Sequence, residues 1–506
     1  MIDPTVLAIL TLLLYFWLRR KRNNLLPPGP MRLPVLGSVI QLQLADSVYP
    51  HLALSKLAEK YGDVMSFGFG MHTAVIVSSF EAMQDVFKCI ETNSYRFEFP
   101  YVSDRNYGKN LGIIWCHGQN WIDVKRFTKK ILKEFGYGKV KIMDESLNDS
   151  AKQLVESIKM DLLDSPDGTF FVDMKKFSVH VLNVVWNLAG GYKFDPNDEN
   201  LKRNMECVDK VDQIFGHSNL YNMFPFLKTW FPKQMRYEEH LNIHHEIHEF
   251  TESLIDDAKE KRSQRLDTEP ISFIEAFLDK IEENRGDADT IFTDEQLIII
   301  VEDLFFGGLV TTGTLLTWSI LFLVLNPDVQ ATLRREILGK MKNPTDSMQA
   351  MELKKIPYLK ATVLEILRMA NIVPIPLPRC PTQDVKMKEY IIPKGSVLFY
   401  NLHVMYNDKV YWNDPENFRP ERFLNETGEI DKLRSERILN TVFGVGPRVC
   451  FGETLALDSL FMFLAAMIIN FKFDAIHGRE LSVQNPHPGL ALGPHSYCVK
   501  ITNPAM

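Results

Sequence analysis

Cys450 is the side chain in this sequence whose surroundings are best suited to metal chemistry. It lies in a glycine-punctuated loop, Phe443 to Gly452, and an apolar, helix-like run from Thr454 to Ile469 follows directly. Glycines let a backbone approach a flat ligand, while Arg448 and the positive end of the following helix favour an anionic sulfur. Because no Cys-x-x-Cys or Cys-x-x-His surrounds position 450, the pattern indicates one axial ligand rather than a zinc site. A buried structural cysteine before a core helix is the alternative that the loop leaves open.

A second unusual stretch lies in the long apolar helical pattern from Leu297 to Leu325. Gly307 and Gly308 stand side by side within it, and Thr311 follows about one turn later. Each glycine costs a helix about 1 kcal/mol relative to alanine, so the pair requires a structural reason. Close approach of a flat ligand, a kink beside a threonine, or a packing notch for another helix would each provide one, and the notch is the simplest.

Charged side chains recur in two short motifs further along the chain. Glu365 and Arg368 stand three residues apart in a helical pattern from Tyr358 to Met369, and Arg422 belongs to a later Pro-Glu-Arg-Phe. A pair at this spacing forms on many helix surfaces and means little there. If all three were buried together, each charge would need a partner, and the group would be a specific structural feature.

Three histidines, His240, His244 and His248, recur every four residues on one face of a helical pattern. Metal sites use this spacing, but no partner ligand is evident and the neighbouring sequence is acidic and polar. We therefore predict a solvated helix face, with a metal site as the alternative.

The composition is that of an ordinary globular protein. Of 506 residues, 45% are hydrophobic and 24% are charged, and the net charge of −7 argues against general nucleic-acid binding. The six cysteines are widely scattered without a disulfide pattern, which is typical of a reducing compartment.

The N-terminus predicts a membrane anchor. An uncharged apolar run from Val6 to Leu18 is followed at once by Arg-Arg-Lys-Arg, a basic cluster expected to stay in the cytosol. We predict an anchor with a basic stop over residues 1–22, a stiff proline-rich linker over 23–33, and a single large domain over 34–506.

The rest of the chain is predicted to be mainly α with a minor β portion. Two β-branched runs, Val64 to Phe69 and Ala74 to Val77, flank Gly-Met-His and predict a hairpin. Helical patterns are predicted over 79–89, 121–134, 144–163, 173–189 and 236–264. The aromatic, proline-broken segment from Leu220 to Pro232 is expected either to pack over the core or to dip into a membrane interface.

Taken in order, Pro-Pro-Gly-Pro, Gly-Gly-x-x-Thr-Thr, Glu-x-x-Arg, Pro-Glu-Arg-Phe and Phe-x-x-Gly-x-x-x-Cys-x-Gly resemble the cytochrome P450 superfamily of haem-thiolate monooxygenases. The resemblance covers essentially the whole chain, and the stretches 120–138 and 366–374 are similar to microsomal, animal-type members. It implies the cytochrome P450 fold preceded by an N-terminal membrane-anchor helix. The cofactor implied is haem, iron protoporphyrin IX, bound by the single domain 34–506.

The resemblance also implies roles for particular residues. Cys450 would be the proximal ligand of the haem iron, with Phe443 packed near its sulfur. The residues that would bind the haem propionates are Arg448, Arg379, Arg96, Trp121 and Lys125, the last standing where most members have arginine. The residues that would line the catalytic face of the haem are Thr311, Gly308 and Val310. The residues that would contact substrate are Phe306, Ile375, Leu490 and the loop from Phe97 to Ile114. Glu365, Arg368 and Arg422 would form a buried structural triad.

The sequence departs from the resemblance at Val310. Members usually place Asp or Glu directly before the residue that is Thr311 here, and that acid helps to supply the protons that oxygen activation consumes. Valine carries no proton, and Asp303, two turns earlier, is better interpreted as a helix-surface acid. We therefore expect proton delivery to be slow or rerouted.

The function implied is insertion of one oxygen atom from O₂ into an apolar steroid, lipid or xenobiotic. Electrons would come from NADPH through a membrane-bound flavoprotein reductase, with the anchor in the endoplasmic reticulum membrane and the catalytic domain on its cytosolic face. Two alternatives stay open: a haem-thiolate isomerase or dehydratase acting on a lipid peroxide, which Val310 motivates, and a non-catalytic haem-containing lipid binder.

Overall fold

The computed structural model shows a mainly helical protein with small sheets beside the helices. It describes Thr11 and residues 25–88, 94–138, 140–216, 220–267, 269–340 and 349–502. Apart from Thr11, the anchor predicted over residues 1–22 lies outside the described residues.

The helices predicted from periodicity are present, with ends that differ by a few residues. In chain order the helices are α1 Val39–Ala45, α2 Pro50–Tyr61, α3 Phe80–Lys88, α4 Pro100–Arg105, α5 Gly118–Glu134, α6 Val140–Leu163, α7 Met174–Ala189, α8 Glu199–Gly216, α9 Leu220–Met223, α10 Leu227–Trp230, α11 Tyr237–Ser263, α12 Phe273–Glu283, α13 Asp294–Leu325, α14 Pro327–Lys340, α15 Ala350–Leu353, α16 Pro357–Ala370, α17 Leu402–Tyr406, α18 Lys409–Trp412, α19 Lys432–Val442 and α20 Glu453–Asn470. Short 3-10 helices, Pro420–Phe423 and Gly446–Arg448, precede α19 and α20.

Three small sheets accompany the helices, and the predicted hairpin is confirmed in the first. The strands are β1 Val64–Phe69, β2 His72–Val77, β3 Thr169–Val172, β4 Val385–Met387, β5 Tyr390–Ile392, β6 Val397–Tyr400, β7 Lys472–Asp474 and β8 Tyr497–Thr502. Strands β1 and β2 pair antiparallel, with Met65 opposite Ile76, and β6 joins β2 in parallel. In the second sheet β8 lies between β3 and β7, and β4 pairs with β5 in the third.

Helix α13 is apolar on nearly every side and packs against α7, α11, α16 and α20. Thr293 caps its start by accepting a hydrogen bond from the amide of Gln296. At Gly313 an added Cβ would lie 2.1 Å from the Ser178 hydroxyl, so glycine permits the close approach of α7. A helix with apolar side chains on all faces belongs in the core.

Helix α20 follows the cysteine loop and is also a core helix. Gly452 stands at its N-cap and Glu453 in its first turn, where a negative charge is favourable. Among the described residues, α13 and α20 are the two helices long and apolar enough to cross a membrane, and most of each is buried inside the protein.

The proline-rich segment contacts the body from Leu25 onward. The amide and hydroxyl of Ser66 donate to the carbonyls of Pro28 and Pro27 at 2.8 and 2.6 Å. The amide of Ile391 donates to the carbonyl of Leu25 at 2.7 Å. The described part of the predicted linker is therefore docked along β1 and β5 rather than free.

The aromatic segment from Leu220 to Pro232 packs over the core in its first half and is exposed in its second half. Tyr221 and Phe224 are buried in a core cluster with strands β1 and β2. Trp230, in contrast, is 70% exposed, and Phe231 beside it is 46% exposed. The first half packs over the core, and the second half presents apolar surface.

The histidine face of α11 is buried, which corrects the prediction of a solvated face. His240, His244 and His248 are all buried, and their rings contact tyrosines from α4, α9 and the loop after α4. The acidic neighbours point elsewhere, because Glu246 pairs with Arg203 and Glu249 with His245. The part of the chain that is described contains no group of three metal-binding side chains, so the alternative of a metal site has no support.

Candidate active site

The cysteine loop holds its sulfur in a ring of backbone donors. The Cys450 amide donates to the carbonyl of Phe443 at 2.7 Å, which closes the loop. Gly444 and Gly446 both have a φ of 75°, a conformation that favours glycine. Burial raises the pKa of the Cys450 thiol, while hydrogen bonds from the amides of Gly452 and Glu453 oppose that rise. The same amides would stabilise a thiolate that ligates a metal cation.

Cys450 is enclosed by protein and yet exposed. Solvent can reach this residue, although burial by protein is the largest influence on the pKa of its thiol. Both observations hold if the thiol opens onto an internal space. Cys450 is therefore not a packed structural cysteine, which was the alternative reading of the loop.

Helix α13 has one open face in an otherwise buried middle section. From Gln296 to Val324 every residue is buried except Leu304, Phe306, Gly307, Gly308 and Thr311. An added Cβ on Gly307 would meet nothing within 4 Å, so this glycine borders open space. The Thr311 hydroxyl donates to the Gly307 carbonyl at 2.9 Å. Gly307 and Thr311 thus define a stretch of helix that a flat group can approach closely.

Gly308 and Val310 do not lie on that open stretch. A Cβ on Gly308 would lie 3.1 Å from the side chain of Val185 on α7, so a packing notch accounts for this glycine. Val310 is 3% exposed and belongs to the apolar core. Of the three residues grouped as catalytic from the sequence, Thr311 lies on the open stretch, Gly308 is partly exposed but faces α7, and Val310 lies in the core.

Asp303 is buried, which corrects its interpretation as a helix-surface acid. One carboxylate oxygen accepts the amides of Ile113 and Ile114 at 2.6 and 2.9 Å. The other lies 2.9 Å from the guanidinium of Arg105. Both oxygens are committed to holding the loop after α4, so Asp303 is a structural anchor rather than a proton relay.

A group of cations converges beside the cysteine loop. The Arg448 guanidinium lies 3.7 Å, and the Lys125 ammonium 4.8 Å, from the ring of Trp121. Burial and the neighbouring Arg379 lower the pKa of Arg448 to about 9. Burial, together with repulsion from Arg448, lowers the pKa of Lys125 to about 8. The cations are therefore desolvated and close enough to repel one another.

These cations bind backbone carbonyls rather than carboxylates. Arg448 donates to the carbonyl of Ser94 at 2.8 Å, Arg96 to that of Leu377 at 2.8 Å, and Lys125 to that of Pro447. None of the described carboxylates forms an ion pair with Arg96, Lys125 or Arg448. Because a buried positive charge is costly without a negative partner, this set of donors suits an anionic ligand.

Glu365, Arg368 and Arg422 come together in the core behind the cysteine loop. Arg368 donates to both oxygens of Glu365 at 2.8 Å, and Arg422 donates to one of them at 2.9 Å. Glu365 has no exposed surface. Further donations to the backbone carbonyls of Tyr406 and Trp412 tie the group to the ends of the short helices α17 and α18, which follow β6.

The residues expected to contact substrate line two cavities. A cavity of about 210 Å³ is bordered by α1, α2, Ile375 and Leu490. A second, of about 100 Å³, is bordered by Phe306 from the open face of α13 and again by Leu490. Trp115 and Leu377 are also shared, so the two cavities adjoin.

The sequence did not single out Glu302 or Asn204, which border the second cavity, and it covered Arg105, which also borders it, only as part of the loop from Phe97 to Ile114. One signal for Glu302 was present, since two adjacent acids interrupt an otherwise apolar helix. Arg105 and Asn204 carried no signal, because their partners and neighbours come from distant parts of the chain.

A cysteine thiol that opens onto internal space, an open glycine on a facing core helix and desolvated cations together define a haem-thiolate oxidoreductase. Comparison with known proteins agrees. A family model described as "Cytochrome P450" matches residues 27–501, and the chain therefore belongs to the cytochrome P450 family. The resemblance, the fold class and haem as cofactor are thereby confirmed, and the reaction class is haem-thiolate monooxygenase.

Similar proteins match along nearly their whole length. Farnesoate epoxidase of Bombyx mori is 30% identical over 494 residues, which cover 96% of this chain and 96% of that protein. Cytochrome P450 2J5 of Mus musculus is 32% identical over 496 residues, covering 97% and 94%. Cytochrome P450 2J2 of Homo sapiens is 29% identical over 486 residues, covering 95% and 92%. None of these names supports the isomerase or lipid-binder alternatives.

The residues present fit haem. Cys450 would ligate the iron, the open stretch at Gly307 would accommodate a flat macrocycle, and Arg96, Lys125 and Arg448 would neutralise its carboxylates. Bound haem supplies the iron centre that activates O₂. Thr311 would hold a proton or a water at that face, and the apolar walls of the site would exclude bulk water.

Proposed function

We propose that this protein oxygenates an apolar small molecule, using electrons from NADPH that a membrane-bound flavoprotein reductase delivers. The observation that carries the proposal is the pair of adjoining cavities. Their walls are mainly apolar, and the second includes Phe306 on the open face of α13. Steroids, lipids and foreign compounds share the apolar surface that such walls bind.

Two further features support access from a membrane. Leu44 on α1 is 82% exposed and Trp230 on α10 is 70% exposed, and such side chains partition into a bilayer interface. Leu42, on the same helix as Leu44, borders the larger cavity. We infer that the protein is held on the cytosolic face of the endoplasmic reticulum membrane and takes up substrate from its lipid side.

The proposal is tested by reconstitution with NADPH, a flavoprotein reductase and lipid vesicles. Candidate substrates are first screened by the spectral shift that accompanies displacement of water from haem iron. The candidates are steroids, fatty acids, xenobiotics and farnesoate, and the last is suggested by the name of one relative. We expect at least one binder to yield an oxygenated product in proportion to NADPH and O₂ consumed. Turnover of a lipid hydroperoxide without NADPH, and no NADPH-dependent product, would overturn it.

The assignment of Cys450 has a direct spectroscopic test. Cys450→Ser is expected to abolish the red-shifted Soret band of the reduced, carbon monoxide-bound protein, because that band requires a thiolate ligand. Cys498→Ser, on β8, is the matched control and should retain it. A red-shifted band in Cys450→Ser would show that another residue ligates the iron.

A further inference from the structure

One part of the wall of the smaller cavity contains two uncharged polar side chains that have no hydrogen-bond partner among the described residues. His244 on α11 and Asn204 on α8 both border it, and each is 4% exposed. Neither a ring nitrogen of His244 nor the amide of Asn204 bonds to any described residue. Buried polar groups are nearly always hydrogen-bonded, and leaving one unpaired costs about 1–3 kcal/mol. These two side chains therefore provide donors and acceptors that a ligand can use.

The charged side chains around this part of the wall are already paired with one another. Arg105 lies 3.1 Å from Glu302 and 2.9 Å from Asp303. Burial acts to lower the pKa of Arg105, but the two carboxylates outweigh it and hold that pKa above its usual value. Arg105 therefore has no charge to spare for a ligand carboxylate.

His248 completes the balance of charge. Its Nδ1 contacts a Glu302 oxygen and its Nε2 lies 3.0 Å from the Arg105 carbonyl. The Arg105 carbonyl can only accept, so Nε2 of His248 carries a proton. The contact between Nδ1 and Glu302 then needs a proton as well, which makes the pair either a charged imidazolium beside a carboxylate or a neutral ring beside a protonated acid. In both assignments Arg105, Asp303, Glu302 and His248 sum to zero charge.

His244 is itself neutral. Burial, and then repulsion from Arg105 and His248, lowers the pKa of His244 well below its usual value. Its ring packs edge-on against Tyr101 at 4.8 Å, which fixes its orientation. This part of the wall consequently offers hydrogen bonds without net charge.

We propose that His244 and Asn204 are specificity-determining residues that bind a neutral hydrogen-bonding group, a hydroxyl or carbonyl, at the end of an elongated apolar substrate. The inference rests on the proposed function and narrows its substrate class. A free carboxylate or an amine would lose its hydration there without meeting an opposite charge, so neutral compounds are favoured over acids and amines. The apolar part of the molecule would extend past Phe306 and Leu490.

Spectral titration of the haem-loaded protein with lauryl alcohol, lauryl chloride and laurate tests the proposal, because these ligands differ mainly at one end. For the natural sequence we expect the alcohol to bind about tenfold more tightly than the chloride, the value of one well-placed hydrogen bond. Laurate should bind more weakly than the alcohol. His244→Phe keeps the ring packing and Asn204→Leu keeps the volume, and together they should bring the alcohol and chloride to equal affinity.

Two further variants separate recognition from folding. His244→Gln restores a hydrogen-bonding group and should recover part of the preference for the alcohol. His240→Phe, one turn away on the same buried face but not bordering the cavity, should leave the preference unchanged. Equal binding of alcohol and chloride to the natural protein, no binding of either, or tightest binding of laurate would overturn the inference. NADPH-dependent oxygenation of some other compound would then still leave the proposed function standing.

Discussion

At Val310 the protein lacks the acid that the resemblance leads us to expect directly before Thr311, and Asp303, two turns earlier, does not replace it. The oxygens of Asp303 are engaged by the amides of Ile113 and Ile114 and by Arg105, which holds this acid in a structural role. We predict that Val310→Glu leaves the fraction of NADPH consumption that yields product unchanged and lowers the unfolding midpoint, because position 310 packs in the apolar core rather than on the open stretch of α13 and burying an ionisable group there is costly.

The matched control for this prediction is Val310→Gln, which has nearly the same shape without an ionisable proton. Haem content and the unfolding midpoint of both variants show whether the buried polar group is tolerated. If the glutamate variant couples NADPH to product several-fold better than the glutamine variant, an acid at position 310 does supply protons and the packing argument is wrong.

If Lys125 binds a haem carboxylate, as we propose, that interaction should depend on pH. Its pKa is lowered to about 8, and a bound carboxylate would raise it again. Below that pKa the side chain is already charged and haem affinity is constant. Above it, binding must also take up a proton, so affinity falls as pH rises, by up to about tenfold per pH unit.

The measurement is the rate of haem transfer to a scavenging apoprotein at about pH 7 and about pH 9. We expect faster loss at the higher pH in the natural protein and no such change in Lys125→Arg, because arginine stays charged. Lys129→Arg, exposed one turn further along α5, should behave like the natural protein. The same pH response in Lys125→Arg would exclude Lys125 as its source.

At the scale of elements, the triad of Glu365, Arg368 and Arg422 joins α16 to the 3-10 helix Pro420–Phe423. Glu365→Gln leaves the buried guanidinium of Arg368 without a carboxylate and leaves Arg422 with Asp414 alone, at 3.2 Å. We predict a loss of about 3–5 kcal/mol in the free energy of unfolding, measured by urea titration. Glu352→Gln, which breaks an exposed pair with Lys355, should cost less than about 1 kcal/mol. Similar losses in both variants would mean that burial of the triad does not increase its contribution to the free energy of unfolding.

Sequence periodicity predicts the long helices well because their apolar faces extend over several turns. Helix α11 was predicted over 236–264 and runs from Tyr237 to Ser263. The burial of its histidine face was not predicted, because the side chains that cover this face belong to α4, the loop after α4, and α9. The cysteine loop and the open glycine were visible because their chemistry is local. The balance of charge around Arg105 was not visible in the sequence, because the carboxylates that pair with Arg105 lie about 200 residues further along the chain.

At the scale of the whole molecule, the proline-rich segment belongs to the folded body. We predict that removing residues 1–24 leaves the melting temperature of the haem-loaded protein unchanged. Removing residues 1–30 also deletes the carbonyls that accept from Ser66 and Ile391, at about 1 kcal/mol each, and should lower the melting temperature by a few degrees. Equal melting temperatures for the two truncations would contradict docking of this segment.

The pairing of distant strands also governs how the chain is made. Strand β2 finds its parallel neighbour β6 near residue 400, and β3 pairs with β8 at the end of the described chain. During synthesis the edge of the first hairpin stays unpaired while most of the helices emerge from the ribosome. An open strand edge is prone to pair with other chains, and contacts of long sequence separation form slowly. Newly made chains should therefore depend on chaperones until the last strands are released, and a stalled or shortened chain should aggregate through β2.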